Sequence, residues 1–184
     1  MKDKRMTIYQ MTTTALMTAV LCVLGPISVP IGAVPVSFTM VAVYFAVYVL
    51  GAKYATISTL LYLVIGSIGL PVFSGYEGGL AKLAGPTGGY LIGFAVIAVI
   101  AGIIIDHFGG KIGWSIVGMV LGLAVCYLLG TIWFVVQSGY TVQAALTACV
   151  YPFLVFDAVK IVFAAVVGPM LRTQLQKAHL LPAR

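Results

Sequence analysis

YPFLVFDAVKIVFAAVVGP, residues 151–169, is an apolar run broken by two charges, Asp157 and Lys160. A charge at the centre of a bilayer costs about 2.5–3.5 kcal/mol on insertion scales, so two in one span need a structural or functional reason. Three residues apart, they lie ~60° apart around a helix and share one face. Pro152 suits the first helical turn, where its missing N–H costs nothing. From there Asp157 stands ~8 Å and Lys160 ~12 Å along the axis, at ~1.5 Å per residue, in the outer half of a membrane. An ion pair locking two helices is one reading; a polar ligand site facing the bundle interior is the favoured one.

The rest of the chain fits a membrane. Of 184 residues, 62% are hydrophobic and 8% charged, and the mean hydropathy is +1.15. Soluble domains are about 25% charged, and disorder needs the opposite composition. Apolar stretches bounded by Gly, Pro and charge predict six spans, at about 8–24, 37–50, 56–70, 90–105, 113–136 and 152–171. A Pro-rich connection (Pro26, Pro30, Pro35) follows the first, and residues 137–149 read as a turn and a short helix. The expected fold is all-α: a compact six-helix bundle in a single membrane domain. With six spans, Lys2, Lys4, Arg5, Lys53, Lys111, Arg172, Lys177 and Arg184 fall on one side and Lys82 on the other, beside Glu77. The positive-inside rule puts both termini in the cytoplasm. The apolar run behind the N-terminus reads as a retained span rather than a signal peptide.

Residues 71–88 form the longest irregular segment, with Gly75, Gly78, Gly79, Gly85 and Gly88 interleaved with Phe73, Tyr76, Leu80 and Leu83, and Gly89 and Tyr90 just beyond. Glycine lets backbone groups approach a ligand closely, and aromatics such as Phe73 and Tyr90 offer apolar walls. So many apolar side chains in a loop predict a lid folded back over a cavity. GPTGG at 85–89 lacks the Lys-Ser/Thr of a P-loop, so the chain does not hydrolyse ATP alone. The segment has no counterpart in the second half, unlike the twinned broken helices of inverted-repeat carriers.

Other chemistry is excluded residue by residue. Cys22, Cys126 and Cys149 sit in apolar runs without metal or redox spacing. His107 and His179 have no partners at metal spacing, and no nucleophile–base set supports an enzyme. The net charge of +6 comes without a dense basic run, so nucleic acid is not an expected partner. Trp114 and Trp133 lie near opposite ends of the fifth span, as interfacial anchors do. Ala15 and Ala19 sit one turn apart on the first span, where another helix can approach closely. Ala42/Ala46, Gly118/Gly122 and Ala164/Gly168 repeat that spacing, as expected by chance with this much Ala and Gly.

The order of GLPVFSGYEGG, GPTGGYLIGF and YPFLVFDAVKI resembles the BioY family, the biotin-specific substrate-binding (S) components of energy-coupling factor transporters; VPIGAVPVSF at 29–38 and LGAKYAT at 50–56 are also similar. The resemblance covers about residues 8–175. It implies six helices, a site near the outer face closed by the loops after spans 1 and 3, and assembly with a membrane coupling protein (T component) and two ABC-type ATPases. Ala15 and Ala19 would face the coupling protein. Asp157 and Lys160 match the family's polar binding pair, although the family often reads Pro-Gly-Asp where this chain has Leu154-Val155-Phe156-Asp157. Thr39 stands where a Gln is common. The expected ligand-binding residues are thus Asp157, Lys160, Tyr90, Phe73, Gly78, Gly79, Lys82 and Thr39, with biotin as ligand and neither cofactor nor metal. A carboxylate can accept a ureido N–H and an ammonium can donate to the ureido C=O. The carboxylate tail would meet loop N–H groups or Lys82, and the reverse orientation is equally open. A stand-alone carrier or facilitator for biotin or another small vitamin is the alternative.

Overall fold

A computed structural model of the chain describes residues 6–31, 34–178 and 180–181. Lys2, Lys4, Arg5, His179 and Arg184, used in the charge argument or weighed as ligands, lie outside the described residues. Helix α1 (Ile8–Leu24) opens with a capping box, in which the Gln10 N–H donates to Thr7 Oγ1 and the Thr7 N–H to Gln10 Oε1. This satisfies two otherwise orphaned groups. Its threonines donate to carbonyls one turn back, as Thr18 does to Thr14 at 2.9 Å, which suits hydroxyls in apolar surroundings.

The Pro-rich connection departs from the all-α expectation. It forms a hairpin of β1 (Ser28–Ile31) and β2 (Val34–Ser37), with Val29 opposite Val36 and Pro30 opposite Pro35. The Phe38 N–H donates to the Ile27 carbonyl at 3.2 Å. By antiparallel alternation the Pro30–Pro35 pair then falls at a non-hydrogen-bonded position, where missing N–H groups cost nothing. The second span therefore starts later than expected: Ser37 belongs to β2, and α2 runs Thr39–Leu50.

Helix α3 (Ala52–Ser67) begins and ends earlier than the expected 56–70. Asp106 Oδ2 accepts the Ala52 N–H at 2.9 Å, stabilising the exposed start of the helix, so Lys53 lies in its first turn. After it, Phe73 is fully buried, edge-on to Tyr62 at 5.5 Å and packed on Gly66, where an added Cβ would stand 2.1 Å from the ring. The Gly75 N–H donates to the Pro26 carbonyl and the Gly79 N–H to the Gly66 carbonyl. The loop is thus tied to the hairpin connection and to α3, and contains a short helix, α4 (Leu80–Ala84).

Helices α5 (Gly88–His107) and α6 (Ile112–Ser138) pack closely; Gly118 faces Ile104 and Gly122 faces Ile97. Short α7 (Val142–Cys149) leads into α8 (Tyr151–Lys177). There Gly168 admits the Tyr48 ring, 2.2 Å from where a Cβ would lie. The pairs Ala42/Ala46, Gly118/Gly122 and Ala164/Gly168 are all buried in the fold, whereas Ala15 and Ala19 are exposed. Helix α2 is buried almost throughout. Leu128, Val155, Val159 and Val162 point outward, an arrangement suited to lipid rather than water. By length and composition α5, α6 and α8 can cross a membrane, while α1 and α2 are shorter apolar helices.

Candidate functional site

On α8 the inward face carries Phe153, Asp157 and Ile161 at four-residue spacing, the stripe expected of one helix side. Asp157 is 6% exposed. Lys160 Nζ donates to its Oδ1 at 2.9 Å, and the Tyr127 hydroxyl of α6 donates to its Oδ2 at 2.6 Å. Both are charge-assisted lengths, so both carboxylate oxygens are engaged. An ionised carboxylate has about four lone-pair sites and an ammonium three N–H donors. The group therefore retains acceptors on Asp157 and donors on Lys160 for a bound molecule.

This triad lies at the edge of a cavity of about 450 Å³, counting its open mouth. Tyr90, Phe94, Leu123 and Phe153 supply apolar walls, and Pro35, Val36 and Ser37 of β2 contribute another side. Tyr90 stands in the first turn of α5. Its ring rests on Gly130, where a Cβ would meet ring carbon at 2.2 Å, and its hydroxyl lies 3.2 Å from Thr131 Oγ1. An apolar chamber with a few convergent charged and hydroxyl groups can hold a compact ligand that has an N–H/C=O edge and an apolar body.

The expected site residues divide into two groups. Asp157, Lys160 and Tyr90 converge on the cavity. Thr39 is fully buried beside it, accepting from Ser37 Oγ at 3.0 Å, and Ser37 itself lines the wall. The remainder lie elsewhere. Phe73 is in the core under the loop. Lys82 pairs with Glu77 beside Gly78 in a separate shallow depression. A Cβ on Gly78 would strike the Leu70 carbonyl at 2.2 Å, and Gly79 has φ +92°; both glycines serve the loop's own turn.

Sequence reasoning missed Tyr127, the hairpin residues 35–37, and Cys126 and Cys149, which also line the cavity. The available signal was the four-residue spacing of Tyr127 and Thr131 on one long apolar helix. Among the described residues no group of three His, Cys, Asp or Glu side chains is placed to hold a metal, and all three cysteines are free.

A model described as the BioY family matches residues 1–177. A protein named biotin transporter BioY from Thermotoga maritima is 35% identical over 164 residues, covering 89% of this chain and 95% of that protein. Biotin transporter BioY2 from Lactococcus lactis subsp. cremoris is 32% identical over 161 residues, covering 88% of each. The fold is similar to the crystal structure of the S-component for biotin from an ECF-type ABC transporter. That match has TM-score 0.83 and 29% identity and covers 92% of this chain and 95% of that one. These relatives are named as transporters, not enzymes, and with three helices among the described residues long and apolar enough to cross a membrane the chain is a multi-pass membrane protein. It belongs to the BioY family.

Proposed function

We propose that this chain is the high-affinity biotin-binding S component of an energy-coupling factor importer, in the cell membrane, energised by a T component and two ABC-type ATPases. The carrying observation is the buried Asp157–Lys160 pair at the edge of an apolar cavity. Biotin's ureido ring has two N–H donors and a C=O acceptor, matching the acceptors left on Asp157 and the donors left on Lys160. Its thioether ring and aliphatic tail suit the walls formed by Tyr90, Phe94 and Phe153. The reading calls for no cofactor.

In this reading six helices span the membrane, both termini are cytoplasmic, residues 71–88 lie at the outer face, and the hairpin, whose residues 35–37 wall the cavity, closes over the ligand. The exposed Ala15 and Ala19 offer the coupling protein a close-approach surface, with the opposite side of α1 (Thr14, Met17, Thr18, Leu21) buried in the bundle. The deciding experiment is calorimetric titration of biotin into the detergent-solubilised chain. Tight one-to-one binding is expected, and absence of binding overturns the reading. Biotin import by the lone chain in ATPase-free vesicles would instead make it a stand-alone carrier. Labelling of the exposed loop residue in Tyr76→Cys is expected from outside only.

A further inference from the structure

Tyr127 takes part in two cavities. One is the chamber that holds Asp157 and Lys160. The other is an outward-facing apolar groove of about 1,000 Å³ between α6 and α7, bordered by Leu128, Ile132, Val136, Val142 and Leu146. Thr131 also lines the groove. Yet the hydroxyls of both residues are paired inward, Tyr127 with Asp157 at 2.6 Å and Thr131 with Tyr90 at 3.2 Å. The wall between lipid and chamber thus shows carbon to one side and hydroxyl to the other.

We propose that Tyr127 is a positioning residue of the ligand site, its hydroxyl holding the Asp157 carboxylate in the orientation in which Asp157 and Lys160 together meet the ligand. The inference rests on the function proposed above. Lys160 alone constrains Oδ1 from the same helix, one turn away, leaving the carboxylate free to turn about its last bond. The Tyr127 hydroxyl comes from a different helix and fixes Oδ2, so the plane of the carboxylate is set by two elements. Holding a reacting or binding group in place before the ligand arrives reduces the ordering that binding would otherwise require. With its proton directed at Asp157, the phenol presents only acceptor lone pairs to the chamber, so a ligand atom that hydrogen-bonds to it must be a donor.

Tyr127→Phe is the informative variant, because it keeps the ring that backs on the groove and removes only the hydroxyl. Biotin affinity is expected to fall about 10-fold, near the lower edge of what a charge-assisted hydrogen bond contributes, with little change in thermal unfolding. Unchanged affinity would overturn the inference, and tighter binding would make Tyr127 a competitor of the ligand. In an Asp157→Asn background the same change is expected to cost nothing further, since the group it positions is altered; additive losses would contradict a positioning role. A third measurement needs no biotin. The Asp157 carboxylate stretch, identified in the ligand-free protein by infrared difference against Asp157→Asn, is expected to shift in Tyr127→Phe. An unshifted band overturns the inference alone, whereas an intact chain that ignores biotin overturns the functional reading alone.

Discussion

Two carboxylate–lysine pairs in this chain have nearly the same chemistry and opposite circumstances. Asp157 and Lys160 lie one turn apart on α8 with side chains 8% and 14% exposed, while Glu77 and Lys82 bridge a loop with Glu77 55% exposed. The loop pair is open to solvent on its Glu77 side, with Lys82 20% exposed; water at the carboxylate and salt screening bring such a pair toward the about 0–1 kcal/mol of surface ion pairs. The helix pair sits in a low-dielectric interior, where losing one member leaves an uncompensated charge worth about 3–5 kcal/mol. It also has Tyr127, a third partner from another helix. Residue type and sequence separation do not distinguish these pairs in value; what surrounds them does.

The largest effects are expected at the buried pair. Asp157→Asn or Lys160→Ala should weaken biotin binding by about 100-fold or more, since two decades correspond to about 2.7 kcal/mol. Titration paired with thermal unfolding reads both consequences. Replacing the two together by Leu and Met should recover stability, because an apolar substitute for a buried ion pair is often neutral or stabilising, without recovering binding. Recovery of both would make the pair purely structural and erase its contrast with the loop pair.

A smaller loss is expected one step away from the charges. In Gly130→Ala the new methyl collides with the Tyr90 ring, and overpacking of this kind costs about 1–3 kcal/mol. The ring has to shift at the cavity wall, so affinity should drop, by about 5-fold if about 1 kcal/mol of that cost falls on the bound state alone, in the same titration. Normal affinity would show that Tyr90 is not a ligand wall.

Glu77→Gln and Lys82→Ala should change affinity by no more than about threefold and stability by under about 1 kcal/mol. A larger loss, measured at low and high salt, would bring the loop pair into the ligand site and break the comparison from the other side. The smallest effect on binding is expected from Ala15→Trp and Ala19→Trp. Affinity for biotin should stay within about twofold, since both residues face outward, while co-purification of the coupling protein should be lost because bulk blocks close helix approach. Equal loss of biotin binding would place α1 in the pocket.

Much of the architecture was legible because membrane insertion reads local properties. Helix α1 runs over the expected residues, and α5, α6 and α8 extend only a few residues beyond the expected spans, since runs of apolar residues ended by Gly, Pro or charge need no knowledge of neighbours. The hairpin was not legible. Pro30 and Pro35 read as breakers along the chain and become harmless only when each stands opposite the other at a non-hydrogen-bonded position. The start of α3 was missed for a similar reason: Asp106, 54 residues away, caps it.

Two aromatic residues show the same limit at finer scale. Phe73 and Tyr90 looked equivalent as apolar walls. The glycine opposite each ring decided otherwise: Gly66 draws Phe73 into the core, and Gly130 seats Tyr90 against the chamber. What the sequence alone determined was membrane residence and the pairing of Asp157 with Lys160, because composition and a three-residue helical separation act within one segment. The tertiary structure alone decided which hydroxyl would meet that pair, which strand would wall the chamber and which aromatics would face it. Those outcomes depend on how α5, α6 and α8 are rotated and spaced against one another, and that is a property of packed surfaces rather than of any single run of residues.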